Sequence, residues 1–252
     1  MKKNTIKFIT GFIFFIIALI FVIKFAGPSI LRLYVETGMG NCQKQPIFSI
    51  VPQEEINNPP INTEYLAELT QYNLPEIKIN LPKNFTVVKQ SVTKRFYKKR
   101  RPANKNAVAY LLYEKPNFFV NLFPQIVKKT GIKNDYEFLN YTLSAKTKDI
   151  KNIPDAFFSI MKSLFTPNMG DQKNLRIVKF TSLNKKGFIT FNMSNPENYF
   201  DCNFVDNEGN FFKLYIKDIP PALDLNKVLT IISTVKSTGA TSGPQKKNMD
   251  NE

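Results

Sequence analysis

Two short stretches have the residue types and spacing of a serine nucleophile activated by a lysine. Residues 159–162 (SIMK) match the S-x-x-K pattern, in which the lysine can take the proton of the serine hydroxyl. Residues 129–131 (KTG) match the K-T-G pattern that accompanies it. In enzymes that use both patterns K-T-G follows S-x-x-K, whereas here it precedes it, and the S-D-N element is missing. We therefore interpret Ser159 and Lys162 as surface residues of a helix.

The 252-residue chain contains no histidine. This excludes catalysis by Ser-His-Asp or Cys-His groups, metal ligation by imidazole and a pH switch based on histidine. Paired carboxylates suited to acid–base catalysis and a glycine loop suited to phosphate do not stand out. We therefore expect no enzyme activity and no catalytic, cofactor-binding or metal-binding residues, and we keep a hydrolase of unknown type as an alternative.

The most distinctive candidate binding site is a basic stretch. Residues 77–113 contain no aspartate or glutamate, and the run KRFYKKRR at 94–101 is their densest part. Its cations could bind acidic lipids, a cell-wall polymer or phosphates, with Phe96 and Tyr97 stacking or entering a membrane interface. The alternative is a solvated loop, because charge runs alone specify no partner; nucleic acid is the least favoured partner. The candidate anion-binding residues are Lys94, Arg95, Lys98, Lys99, Arg100 and Arg101.

An apolar run near the start of the chain predicts a membrane anchor. Residues 8–23 (FITGFIFFIIALIFVI) carry no charge, and the helix can continue to Leu31 if Lys24 extends to the headgroups. Lysines without acids precede the run, which favours a cytoplasmic segment at 1–7 and an anchor at 8–31. We expect a single-pass protein of the cell (inner) membrane with its C-terminal domain outside the cytoplasm. The alternative is a domain secreted after cleavage of a signal peptide.

The predicted orientation determines how the net charge and the two cysteines are interpreted. The net charge of +15 attracts the domain to anionic surfaces. The two cysteines, Cys42 and Cys202, suggest one disulfide if the domain is exported. The alternative is two free, buried thiols.

Sequence patterns after the anchor predict one α+β domain. Glycines and prolines interrupt 32–62, which we expect to be a juxtamembrane linker with an extended piece at 46–52. The domain is expected at 63–236, followed by a disordered polar tail at 237–252.

Periodicity and capping residues predict the elements of this domain. The first half should contain a helix at 64–72, strands at 77–81 and 85–97, a loop at 98–106, and a hairpin of strands 107–114 and 117–123. The second half should contain helices opening at Asn134 and Pro154, strands at 175–183, 187–193, 199–205 and 211–216, and a helix at 224–236. Short polar turns join the last four strands and make them antiparallel neighbours. We expect an antiparallel sheet covered by helices.

Three stretches of the domain resemble the PsbP-like family. They are residues 79–83, residues 211–216, and residues 228–237, which end in IISTVKS. The order of elements around them is similar as well, so the resemblance covers about residues 75–237. It implies an αβα sandwich of the kind found in exported or lumenal proteins and a non-catalytic binding or adaptor role. No residue role follows from it.

The expected function is that of a membrane-anchored, extracytoplasmic, non-enzymatic binding or adaptor domain, such as an envelope assembly component. Its expected partners are the membrane, through 8–31, and another envelope protein or an anionic polymer. The alternative is a basic peripheral module that binds anionic lipid or cell-wall polymer through 94–101.

Overall fold

The computed structural model describes residues 26–37, 50–74, 76–83, 86–90, 94–99, 107–166, 174–192, 199–217 and 223–238. These residues form an α+β fold in which helices cover a mixed sheet. The predicted fold class is confirmed at this level.

A large sheet forms the centre of the fold. Its strands are β1 (Glu54–Asn57), β4 (Thr86–Gln90), β5 (Lys94–Lys99), β6 (Ala107–Glu114), β7 (Leu175–Thr181), β8 (Lys185–Asn192), β9 (Tyr199–Asp206) and β10 (Phe211–Lys217). Their order is β1-β7-β8-β9-β10-β6-β5-β4. All neighbours are antiparallel except β1 and β7, which are parallel. The prediction of a purely antiparallel sheet was therefore wrong at this edge, where a long connection permits parallel pairing.

A small sheet and two helices cover one face of the large sheet. They are α2 (Thr63–Glu68), β2 (Leu69–Asn73), β3 (Ile77–Pro82), α7 (Leu225–Thr234) and β11 (Lys236–Ser237). The predicted caps are confirmed, because Asn62 accepts a hydrogen bond from Tyr65 N and Asp224 accepts one from Lys227 N. The helix predicted to reach residue 72 ends at Glu68, because the following residues pair with β3 instead.

The remaining helices lie on the other face. They are α1 (described over 26–36), α3 (Phe118–Leu122), α4 (Pro124–Thr130), α5 (Asp135–Ser144), a 3-10 turn (Thr147–Asp149) and α6 (Ile153–Phe165). The side chain of Asn134 caps α5, and Pro154 lies in the first turn of α6, as predicted. The side chain of Asn152, which was not predicted, caps α6.

The strand predicted at 117–123 is helical in the structure, so the predicted hairpin was wrong. The buried carboxylate of Asp135 accepts hydrogen bonds from the backbone amides of Phe118, Phe119 and Val120. It thereby satisfies the free N–H groups at the start of α3, which no local side chain caps. A contact from another helix therefore stabilises this one.

Alternation along the strands divides the core into layers. On β10, Phe212 and Leu214 belong to the first layer, which faces α7, and Phe211 belongs to the second layer, which faces α5 and α6. A third group, here called the α1 cluster, joins α1 to the second side. Its buried members are Val35, Ile150, Ala156, Leu175 and Tyr199.

Several predicted boundaries differ from the structure or lie outside the described residues. The span predicted as a linker, 32–62, includes the end of α1 and strand β1. Residues 1–25 and 239–252, which hold most of the predicted anchor and tail, are outside the described part, as are 46–49. Among the described residues, none of the helices has the length and apolar character needed to cross a bilayer.

Candidate functional site

Buried polar side chains lie on the sheet face that α6 covers. We define the sheet seam as Thr190 on β8, Asp201 and Asn203 on β9, and Lys213 on β10. Register makes them cross-strand neighbours, since Asp201 pairs with Thr190 and Asn203 pairs with Lys213. Thr190 and Asn203 are completely buried, and Asp201 is 1% exposed. Polar groups at this depth usually have hydrogen-bond partners, yet within the described residues the Thr190 hydroxyl and Oδ1 of Asn203 have none.

An ion pair is at the centre of the sheet seam. The Lys213 ammonium lies 3.0 Å from Oδ2 of Asp201 and donates to the carbonyl of Leu164, at 2.9 Å, near the end of α6. The Asn203 amide donates to Oδ1 of Asp201 at 2.8 Å. Burial raises the pKa of the Asp201 carboxyl, while Lys213 and Asn203 act to lower it. The pair therefore ties β9 and β10 to the C-terminal end of α6.

Ser159 and Lys162 of α6 are also completely buried. The ammonium of Lys162 donates to the carbonyl of Ile50, at 2.7 Å, and to the carbonyl of Ala145. Ala145 caps the C-terminus of α5, where a positive charge is favourable. Burial, followed by the positive charge of Lys146, lowers the pKa of Lys162 to about 7. Lys162 thus joins three segments and changes charge near neutral pH.

A cleft of about 280 Å³ opens between α5, the 3-10 turn and α6. Ser159 contributes to its wall, and within the described residues its hydroxyl has no hydrogen-bond partner. Buried hydroxyls of this kind are usually satisfied by water or by a ligand. The other lining residues are Asn140, Tyr141, Ser144, Ala145, Lys146, Asp149, Asp155 and Phe158.

The S-x-x-K match therefore has a structural explanation, although not the predicted one. We predicted surface positions, and this was wrong because Ile50 and the end of α5 cover the lysine. The donors of Lys162 bind two carbonyls, and the Ser159 hydroxyl makes no hydrogen bond to it. The K-T-G residues end α4, with Gly131 at a positive φ of 72° as its C-cap.

The basic stretch is partly described. Residues 85–97, predicted as one strand, divide into β4 and β5, which pair in antiparallel fashion. Lys98 and Lys99, predicted in the following loop, belong to β5 together with Lys94 and Arg95, and β5 pairs with β6. Residues 100 and 101 lie outside the described residues. Anion binding by this stretch stays a prediction.

The predicted disulfide also stays a prediction, because Cys42 lies outside the described residues. Cys202 is completely buried in the first core layer, and burial raises the pKa of its thiol. The described residues on either side of Cys42 pack on the opposite face of the sheet, where Val35 is in the α1 cluster and Ile50 contacts it.

Asp201 and Lys213 were not predicted as site residues. In β9 and β10 they follow the ordinary pattern of alternating apolar and polar residues, which predicts a polar face in water. A second helix-forming segment with an apolar face, such as α6, was the available signal that this face is covered.

Comparisons with known proteins leave the family open. The chain matches no protein-family model and no curated protein sequence. A solved structure from Bacteroides thetaiotaomicron VPI-5482 is similar over 68% of this chain and 48% of its own, with a TM-score of 0.32 and 7% identity. The chain thus spans about half the length of that protein. The PsbP-like resemblance stays a prediction.

Replacing Lys162 with methionine should change how stability depends on pH. Below pH 7 the lysine is charged in both the folded and the unfolded chain. Between about 7 and the ordinary value of 10.5 only the unfolded chain binds the proton, so the free energy of unfolding rises with pH. The free energy of unfolding of the wild type minus that of Lys162→Met should therefore rise by about 2 kcal/mol from pH 7 to 9. The reason is that one proton contributes up to about 1.4 kcal/mol per pH unit.

Chemical denaturation of the full chain in a mild detergent, followed by circular dichroism at each pH, measures this difference. Lys148→Met is the matched control, since Lys148 is exposed, and its difference from wild type should stay flat. Parallel stability curves for wild type and Lys162→Met would show that Lys162 keeps an ordinary pKa.

Proposed function

We propose that the chain is a non-enzymatic binding or adaptor domain, tethered to the outer side of the cell membrane through residues 8–31. The observation that supports this proposal is the packing of α1 against the domain. Val35 is completely buried in the α1 cluster, and Leu31 packs against the same cluster. The helix that follows the apolar run is thus part of the fold.

This packing matters because it limits the distance between domain and membrane. Val35 follows Leu31, the predicted end of the anchor, by four residues. At about 1.5 Å per residue this is only about 6 Å of helix. A domain on so short a rigid connection keeps a fixed orientation to the bilayer, which suits an adaptor that assembles with other envelope proteins.

Labelling in spheroplasts tests the proposed topology. The variant Leu183→Cys places a thiol at a position that is 85% exposed, in a Cys42→Ser background. A membrane-impermeant maleimide should label it without lysis, because the domain is outside the cytoplasm. Lys3→Cys is the control for the opposite side and should react only after permeabilisation.

Labelling of Leu183→Cys only after lysis would reject the proposed topology. Cys202 needs no replacement, since it is completely buried. The background variant should therefore show no signal before or after lysis.

A second candidate function is binding of anionic lipid or cell-wall polymer through the basic strand β5. Register supports it, because positions of β5 continue cross-strand rows that begin on β10 and pass through β6. Two rows begin and end with lysine, and the row between them is aromatic. The rows are Lys213–Leu112–Lys94, Tyr215–Tyr110–Phe96 and Lys217–Val108–Lys98. Lysine and aromatic positions thus alternate across β10, β6 and β5, and the lysines outside the Lys213–Asp201 ion pair can attract the acidic groups of a lipid or polymer.

Replacing Lys98, Lys99, Arg100 and Arg101 with glutamine should weaken binding to anionic vesicles or to an acidic glycan. The expected loss at low salt is at least about tenfold, because each lysine or arginine near an anionic surface contributes about 1 kcal/mol. The dependence of affinity on salt should also become shallower. Titrations of the full chain at several salt concentrations measure both.

A control variant removes the same charge elsewhere, through glutamine at Lys115, Lys128, Lys129 and Lys133, all of which are exposed. It should retain most of the affinity. Equal losses in the two variants would mean that net charge, and not the basic strand, causes the binding.

A further inference from the structure

Helix α1 has apolar residues on two sides. Leu31 and Val35 pack on the domain, as described above. Ile30, Leu33 and Tyr34 point away from it and are 64%, 62% and 50% exposed. Their spacing of three and four residues places them on one stripe of the helix.

A second apolar residue is exposed where α1 meets the domain. Ile150, which precedes α6, is completely buried in the α1 cluster together with Val35. Three residues later Ile153, at the start of α6, is 66% exposed. Lys148, Asp149 and Lys151 of the same short segment are exposed as well. This end of the domain therefore combines an exposed apolar side chain with exposed cations.

The sequence that precedes α1 indicates what covers these residues. Residues 8–23 form an uncharged apolar run that ends shortly before α1. An apolar stripe that continues such a run, with tyrosine and neighbouring lysines, has the composition of a segment at a membrane interface. Single exposed apolar residues are common on protein surfaces. The exposed apolar residues of α1 and Ile153, however, lie together at the end of the fold that is nearest in sequence to the apolar run.

We infer that this end of the domain rests in the lipid interface, with the stripe of α1 and Ile153 at the boundary between headgroups and acyl chains. Lys148 and Lys151 bind the lipid phosphates there. The inference rests on the proposed tether and adds a membrane-contacting surface of the domain itself.

The fold offers control positions at its far end. Strand β7 begins at Leu175 in the α1 cluster and leads away for about 20 Å, at about 3.3 Å per residue, before the turn that holds Leu183. Helix α6 begins near Ile153 and leads over about 16 Å to Leu164, which is 62% exposed. Leu183 and Leu164 are thus exposed apolar residues that should stay in water.

Fluorescence of the full chain in vesicles of phosphatidylglycerol and phosphatidylcholine tests the inference. An environment-sensitive dye is attached to a cysteine at Leu33, Ile153, Leu164 or Leu183, in the Cys42→Ser background. The dye at Leu33 and Ile153 should emit at shorter wavelength and lose emission when lipids carry a quencher high on the acyl chain. The dye at Leu164 and Leu183 should respond to neither.

The possible failures are distinguishable. If the chain remains with the vesicles but the dye at Ile153 behaves like the dye at Leu183, the membrane-contacting surface is rejected and the tether stands. If emission at Ile153 depends on the ratio of protein to lipid and not on the quencher, a second copy of the chain covers the site and the inference is overturned. If the chain does not stay with the vesicles, the tether fails as well.

Discussion

The completely buried Lys162 and the half-buried Lys213 hold α6 in place, and the arrangement of the second core layer depends on them. Lys213 joins the end of α6 to Asp201 in the centre of the sheet. Lys162 joins the middle of α6 to the end of α5 and to Ile50. Removing Lys213 would leave the buried Asp201 carboxylate without its charge partner, which typically costs about 3–5 kcal/mol. The contacts of Lys213 therefore fix the C-terminal end of α6 more firmly than its apolar face alone would.

The candidate site and the proposed tether both follow from the position of α6. Its first turns form one wall of the cleft that contains Ser159, and Ala156 supplies part of the surface on which α1 packs. Lys162 also binds the backbone at Ile50, where the chain enters the domain from the segment after α1. The N-terminal helix, the entering chain and the cleft are thus connected through one helix.

Local signals in the sequence predicted much of the fold. The strands β7 to β10 were identified from alternation, and the caps at Asn134 and Asp224 were identified because the capping residue and the helix are adjacent in sequence. Elements that depend on distant residues were missed. Helix α3 requires Asp135 from the next long helix, and β1 requires β7 as a parallel partner.

The candidate site was hidden for the same reason. Asp201 has the sequence context of a solvent-facing strand residue, and Lys162 has that of an exposed helical lysine. Their burial follows from segments far away in sequence, namely α6 over the sheet and Ile50 over α6. Pairwise patterns within one element do not contain this information.

Helix α1 belongs to the folded domain and is not a flexible connection. Comparing Val35→Ala with Leu33→Ala in thermal unfolding of the full chain, in a mild detergent, tests this. Val35 is completely buried and Leu33 is 62% exposed on the same helix. Val35→Ala should destabilise the domain by about 1–3 kcal/mol, because it removes buried methyl groups, while Leu33→Ala should change stability by less than about 0.5 kcal/mol. Equal and negligible effects of the two substitutions would contradict the claim.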